Sequence, residues 1–470
     1  MTHSAATGQN RIRRTARRDA TLVALLLILA GAFGLARAGD GLRSTSATVD
    51  GIPLEVVRAA DTPGKKPAVV VAHGYAGSGQ LMRPFADTLA RRGYVVVLPD
   101  LAGHAGNTKR LSGVEAFDRD LIDVVRYTRG RADVDPDRVA LLGHSLGASA
   151  VTRVGAADQG IAATVAISMG DDGAARQRPG PRKLLLLMGA FEPGLRGVAE
   201  RADAGRVVPV PFTEHVSVLY ADRTHHEAAR WLDDALGHTA AKPVIEAKRR
   251  VAAGGTVLAG AVLLMLVGVS LLRPSARPAD ALLPRRLPWL LAAPLAGIVG
   301  GVLCSRLLPS GVTGYLIGYT AFAGLVLAAI RRPLLGGTAS GAGLAVVSGA
   351  AVVLPVHAGL TSMTPHGAHV WLVALLFLAV AFLLSGVHAV VPPPWGGAVL
   401  AAVCLPLPVA AVVGLAPGFL LIVTPLIAIL CAVHLASAAV AWRTGIGVRH
   451  TVLAGALAVA WPVAAALPLT

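Results

Sequence analysis

The sequence predicts two fold classes in one chain: a doubly wound, mostly parallel α/β sheet over residues 45–238 and an all-α polytopic transmembrane domain over 251–470. Three observations carry this prediction. Of 470 residues, 54% are hydrophobic and only 15% charged, against roughly a quarter charged in soluble domains. The charge is also unevenly spread. Residues 45–238 hold 23 Lys/Arg and 23 Asp/Glu, whereas the rest holds 20 cations against Asp19, Asp40, Glu246 and Asp280, so the whole net charge of +16 lies outside the one stretch of ordinary soluble composition. Within that stretch, apolar β-rich runs alternate with helical patterns, the layout of a parallel sheet covered on both faces.

The elements follow in chain order. Residues 1–20 form a basic tail (Arg11, Arg13, Arg14, Arg17, Arg18), read as cytoplasmic. The apolar run 21–35 continues into the small-x-small pattern Ala36-Arg37-Ala38, so 21–38 is a signal anchor or a cleaved signal peptide, and both send the next segment across a membrane. Residues 49–57 predict an initial antiparallel strand pair. Strands are expected at 68–72, 95–98, 139–142, 164–168, 184–188 and 207–210, with helices near 81–92, 114–128, 148–156 and 227–236.

Beyond a basic hinge at 239–250 (Lys242, Lys248, Arg249, Arg250) come about eight stretches near the roughly 20 residues that cross a bilayer. They are 251–272, 287–308, 312–330, 334–354, 370–390, 398–415, 419–442 and 451–469. With the N-terminus inside, the inner segments carry the five N-terminal arginines plus Arg273, Arg277, Arg285, Arg286, Arg331, Arg332, Arg443 and Arg449. The outer flanks carry Arg37, Arg43, Arg306 and the hinge, so the positive-inside rule puts the neutral domain on the extracytoplasmic side of the cytoplasmic membrane. The hinge is the dissenting feature, although long domains translocate largely regardless of charge.

Several function classes drop out. The arginines flank apolar runs instead of forming a basic stripe with aromatics, which argues against nucleic acid as a partner. Cys304, Cys404 and Cys431 all lie in apolar runs, so the 45–238 segment can build neither a disulfide framework nor a cysteine zinc site. The spans have almost no carboxylates after Asp280, which a proton- or cation-coupled transporter ordinarily needs. His357, His366 and His369 cluster in an expected outer loop, and His388 and His434 lie within spans. Packing or interfacial roles are the simpler reading, and neither metal nor cofactor is expected. Small residues at 336–341 suggest close helix packing.

The chemical signal is Gly143-His144-Ser145-Leu146-Gly147, which follows the strand at 139–142 directly and opens a helix. By frequency alone, 18 serines and 53 glycines in 470 residues give roughly 0.2 chance matches to G-x-S-x-G. The context is what makes it specific. So sharp a strand-to-helix turn needs small residues at both glycines and lifts the serine hydroxyl above the sheet at a helix N-terminus, where backbone N–H groups favour an oxyanion.

On these residues, together with His73-Gly74-Tyr75 directly after a strand, residues 49–237 resemble the α/β-hydrolase superfamily, especially its compact esterase and dienelactone-hydrolase-like members. The resemblance implies Ser145 as nucleophile, with the Tyr75 and Leu146 N–H groups stabilising the tetrahedral oxyanion. It implies that His73 shapes its loop, although His73 is also an alternative base. The acid should follow a late strand. Glu192, in Gly189-Ala190-Phe191-Glu192-Pro193, is similar to the superfamily's strand-G-x-x-D turn, with Asp171 or Asp172 as the competing position. The base comes last in chain order. His215 fits the family's order of strand, short loop, histidine and final helix, ahead of His225, His226 and His238; the pair 225–226 falls at the helix start, as a cap or solvated. Asp100 and His104 resemble a loop with structural hydrogen bonds. The dienelactone group itself uses cysteine where this chain has serine, which favours ester, lipid-ester or thioester hydrolysis over lactone opening.

About fourteen residues separate Ser168 from Lys183, where many relatives insert a cap, so the expected site is open to large or amphiphilic esters held near the membrane. The leading expectation is a membrane-bound serine esterase or lipase-like hydrolase working through an acyl-enzyme. The alternatives are an envelope acyltransferase using the same triad, and a transport or sensing protein whose hydrolase-like domain only binds ligand.

Overall fold

The structure, a computed structural model, describes residues 2–60, 64–202, 205–239, 244–271, 287–330, 339–391, 393–443 and 449–470. Arg273, Arg277, Arg285, Arg286, Arg331 and Arg332, on which much of the orientation reading rests, lie outside the described residues, as do Lys242 and residues 336–338 of the small-residue stretch at 336–341. The chain forms two compact units. One comprises 33–254, 357–367 and 466–470; the other comprises 1–32, 255–356 and 368–465.

Helix α1 (Thr2–Ala38) leads into strands β1 (Leu42–Val49), β2 (Ile52–Ala59) and β3 (Lys66–Ala72). There follow α2 (Arg83–Arg91), β4 (Val95–Pro99), α3 (Glu115–Arg129), β5 (Val134–His144), α4 (Leu146–Ala157), β6 (Thr164–Ile167), β7 (Leu184–Gly189), α5 (Pro193–Arg201), β8 (Arg206–Val210) and α6 (Asp222–Leu236). The eight strands form one sheet in the order β1-β2-β4-β3-β5-β6-β7-β8. β1 and β2 pair antiparallel, β2 meets β4 antiparallel, and every later pairing is parallel.

Side-chain alternation explains the two covered faces. Val69 and Val71 of β3 enter one core with Val96, Leu142, Phe85 and Leu89 of α2, and Leu232 of α6. Ala68, Val70 and Ala72 enter the other with Val97, Leu141, Phe117 and Leu121 of α3, and Val151 of α4. Helix α3 buries Phe117, Leu121, Val124, Val125 and Thr128, one helical stripe. Its Glu115 and Asp118 stand in the first turn and Arg126 and Arg129 in the last, which suits the helix dipole. Pro84 in the first turn of α2 stands where a missing N–H costs no intrahelical bond. The sequence did not predict α5. Helix α6 starts five residues before the expected 227, so His225 is a buried core residue stacked on Phe85 at 4.0 Å, not a solvated cap, while His226 is exposed.

The remaining helices are α7 (Arg249–Val269), α8 (Leu287–Leu307), α9 (Gly311–Ile330), α10 (Ala339–Gly359), α11 (His369–Val390), α12 (Pro393–Cys404), α13 (Pro406–Val412), α14 (Leu420–Arg443) and α15 (Arg449–Ala466). Among the described residues eight helical segments are long and apolar enough to cross a membrane, including 14–38 near the N-terminus and 395–412, where α12 and α13 meet at Pro406. The ninth apolar helix, at 450–466, is shorter than that. It stops before Leu467-Pro468 because the residue preceding proline avoids the helical conformation. Helices α8 and α9 approach through glycines: a β-carbon on Gly318 would lie 2.0 Å from the Gly300 carbonyl oxygen. His388 and His434, on α11 and α14, are buried with their Nε2 atoms 2.9 Å apart. No three His, Cys, Asp or Glu side chains among the described residues are grouped to hold a metal ion.

Candidate active site

The parallel strands end on one edge of the sheet, and the loops there carry the chemistry. β5 passes directly into α4 through Ser145, whose backbone is held at φ 54°, ψ −117°. This strained turn is possible because the residues two before and two after Ser145 are glycines. A β-carbon on Gly143 would stand 2.3 Å from the Gly147 carbonyl oxygen, and one on Gly147 would stand 2.3 Å from the His73 carbonyl oxygen. Leu146 is the first residue of α4, so its N–H has no partner within the helix.

The structure brings Ser145, His215 and Glu192 into one hydrogen-bonded line. His215 Nδ1 donates to Glu192 Oε1 at 2.6 Å, which leaves Nε2 to accept from Ser145 Oγ at 2.9 Å. The other oxygen, Glu192 Oε2, accepts from the Gly189 N–H at 2.6 Å and the Ser168 hydroxyl at 2.7 Å. Burial pushes the Glu192 carboxyl up, but the hydrogen bonds from His215, Ser168 and Gly189 outweigh it and hold the group below its ordinary range. Glu192 is thus a buried, ionised acceptor aimed at the ring nitrogen farther from the serine.

Asp171 and Asp172 are placed elsewhere. Asp172 pairs with Arg201 at 2.7 Å, and Asp171 accepts from the Gly173 N–H at 2.9 Å. His73 has both nitrogens committed: Nδ1 donates to the Gly74 carbonyl at 2.8 Å, and Nε2 accepts from the Leu101 N–H at 2.9 Å. Burial lowers its pKa, so it remains a neutral brace of the loop that carries Tyr75. Burial also pushes the Tyr75 phenol up to about 12. Asp100 receives the Gly79 and Gly106 N–H groups at 2.9 and 3.1 Å. His238 contacts the Arg92 carbonyl at 2.7 Å, and His226 the Asp222 carbonyl at 3.1 Å.

Two residues at the site escaped the sequence reading. Ser168, buried with φ 52°, hydrogen-bonds the carboxylate; its signal was only a serine at the end of a strand. His144 is the variable residue of the motif. It is buried, and its Nε2 donates to the His215 carbonyl at 2.8 Å, fixing the backbone that presents the imidazole. Burial, then the neighbouring His215, pushes the His144 pKa down to about 3, so it stays neutral and keeps this role.

The rim is apolar. Phe191 is 66% and Phe212 87% exposed, and their loops are joined by the Phe191 N–H to Thr213 carbonyl bond at 3.0 Å. Phe212 adopts φ 59°, a conformation that side-chain-bearing residues avoid, and still points into solvent. Between β6 and β7 the described chain forms only a single 3₁₀ turn at Ala174–Arg176, so no helical cap is inserted there.

Comparison with known proteins gives the following. Residues 63–216 match the family model described as serine aminopeptidase, S33. Two uncharacterised proteins of Mycobacterium tuberculosis, from strains CDC 1551 / Oshkosh and ATCC 25618 / H37Rv, are each 37% identical over 86 residues, 18% of this chain and 30% of theirs. The chain therefore spans under a third of the length of these curated relatives. Among solved structures, dienelactone hydrolase from Anabaena variabilis is similar at 18% identity and TM-score 0.36, over 42% of this chain and 99% of that one. A putative dienelactone hydrolase from Klebsiella pneumoniae matches at 20% identity and TM-score 0.32, over 42% and 95%. A hypothetical protein from Pseudomonas aeruginosa matches at 14% identity and TM-score 0.36, over 42% and 94%.

Proposed function

Proceeding from an α/β-hydrolase domain joined to a set of helices capable of spanning a membrane, we propose that the protein is a membrane-bound serine hydrolase that cleaves carboxylic esters. The observation that carries this reading is the line Ser145–His215–Glu192, with successive hydrogen bonds of 2.9 and 2.6 Å. A serine hydroxyl is a weak nucleophile until a base takes its proton. His215 Nε2 takes it as Ser145 Oγ attacks the ester carbonyl, and the carbonyl π pair moves onto oxygen. The Tyr75 and Leu146 N–H groups receive that oxyanion. When the intermediate collapses, His215 returns the proton to the departing alcohol and an acyl-serine remains. Water, deprotonated by the same histidine, then releases the acid and regenerates the hydroxyl.

The substrate we assign is an amphiphilic ester or thioester, with a membrane lipid as its source. Support comes from the exposed Phe191 and Phe212 at the rim and from the absence of an inserted cap between β6 and β7. We assign the hydrolase domain to the extracytoplasmic face of the cytoplasmic membrane, a reading that the distribution of cations supports.

Labelling by a fluorophosphonate probe in membranes tests the proposal. The native chain should label, and Ser145→Ala and His215→Ala should not. A folded native chain that fails to label would remove the catalytic reading and leave a ligand-binding domain in its place.

A further inference from the structure

We propose that Thr361, Ser362 and Leu469, more than two hundred residues beyond the nucleophile, are positioning residues for the oxyanion loop, the first two acting through a buried hydroxyl node at Ser78 and Leu469 through Gly103 on the opposite flank. The inference rests on the hydrolase reading above and extends it to a part of the chain that resemblance to a hydrolase does not reach.

The loop in question, residues 73–80, carries Tyr75. Ala76 next to it has φ 59°, a left-handed conformation that residues with a β-carbon avoid, so the loop keeps its shape only where its surroundings over-determine it. From within, it is held by the Gly77 N–H to the Gly74 carbonyl at 3.0 Å and by the Gly79 N–H to Asp100 at 2.9 Å. The rest of the constraint comes from far along the chain.

Ser78 is completely buried. Its Oγ accepts from the Leu81 N–H at 3.3 Å and from the Ser362 N–H at 3.1 Å. A hydroxyl has two lone pairs and one proton. With both lone pairs used, the proton must go to Thr361 Oγ1, 2.8 Å away and itself buried. The Gln80 amide donates to the His357 carbonyl, and His357 Nδ1 accepts from the Met363 N–H at 3.1 Å, which ties residues 357–363 into a closed turn against the loop.

Leu469 holds the other flank. Its N–H donates to the Gly103 carbonyl at 3.0 Å, and its carbonyl accepts from the Leu111 N–H at 2.8 Å. Gly103 has φ 81°, and a β-carbon there would stand 2.6 Å from the Leu469 carbonyl oxygen, so the bridge needs glycine at 103. This second loop carries His104, whose ring packs edge-on against His73 at 5.0 Å and Tyr75 at 5.8 Å. Both sides of the Tyr75 loop are therefore braced by chain that follows the hydrolase sequence and lies within the same compact unit. An oxyanion donor acts only where it meets the developing charge, and a displacement of about 1 Å costs on the order of a hundredfold in rate.

The test uses the full-length protein. Thr361→Val keeps shape and volume but removes the acceptor for the Ser78 proton. Thr361→Ser restores it. Leu469→Pro removes the donor to Gly103 together with a buried leucine side chain, so Leu469→Ala, which keeps the donor, is its control. We expect Thr361→Val to label with fluorophosphonate about tenfold more slowly or worse, and to hydrolyse a p-nitrophenyl ester with lowered kcat and unchanged KM. Amide exchange across 74–77 should quicken while the thermal midpoint stays near native. Thr361→Ser should recover the native rate, and Leu469→Pro should slow labelling several-fold. A native chain that labels, with Thr361→Val and Leu469→Pro matching it in rate and in exchange, overturns the positioning role alone. A native chain that never labels overturns the catalytic reading and this role together.

Discussion

Replacing Glu192 by Gln changes one atom and should disable the site. Glu192 Oε2 receives the Gly189 backbone N–H, which can only donate, and the Ser168 hydroxyl. In the variant the amide oxygen must therefore take that position, and the –NH2 group turns toward His215 Nδ1. Facing a donor, Nδ1 must carry a lone pair, so the ring's proton moves to Nε2 and points at Ser145 Oγ, 2.9 Å away. The imidazole is then in the tautomer that cannot accept the serine proton. Inverting the tautomer in a triad of this kind lowers kcat by about 10³–10⁴, or about 4–5.5 kcal/mol in barrier. The assay is steady-state hydrolysis of a p-nitrophenyl ester by full-length Glu192→Gln and native protein, with thermal unfolding in parallel. Fold and KM should persist while kcat collapses. A variant within tenfold of native, with an unaltered unfolding midpoint, would refute the assignment of Glu192 as the residue that orients His215.

Three further outcomes follow from neighbouring contacts. Ser168→Ala removes a charge-assisted hydrogen bond to the carboxylate; kcat should fall by about ten- to a hundredfold, and because that bond lowers the Glu192 pKa, the acid limb of the pH–rate profile should move to higher pH. Gly147→Ala places a methyl group 2.3 Å from the His73 carbonyl oxygen, so loss of probe labelling with a lowered thermal midpoint is expected, and native values for both would refute the close approach of α4 to the oxyanion loop. Burial holds His225 down to about 4, against 6.5 for a free imidazole, so its contribution to stability is complete above pH 6.5 and is lost as pH falls toward 4. In His225→Gln the fall in unfolding free energy between those values should shrink by up to about 1.4 kcal/mol per pH unit, measured by denaturant titration at each pH.

The division of labour between sequence and tertiary structure is visible in particular residues. Composition and charge separated the α/β segment from the apolar helices, because lipid and water select side chains so differently that the boundary is written locally. The strands at 68–72 and 139–142 and the turn around Ser145 were legible for a similar reason: continuous apolar runs mark doubly covered strands, and a strand-to-helix turn this sharp permits only glycine at 143 and 147. The positions of Glu192 and His215 were reached through family resemblance, since nothing in their own neighbourhoods states which carboxylate meets which imidazole. That meeting is a three-dimensional fact, set by the parallel order of β5, β6, β7 and β8. Ser168, His144, Thr361 and Leu469 were silent in the sequence because each acts through hydrogen bonds to residues remote in the chain, and a hydroxyl, a ring or a backbone amide carries no periodicity. Sequence by itself determined which segments bury apolar surface and where a reactive serine could stand. Only the tertiary structure decided which donors and acceptors face it, because hydrogen bonds depend on distance and direction while patterning depends only on order along the chain.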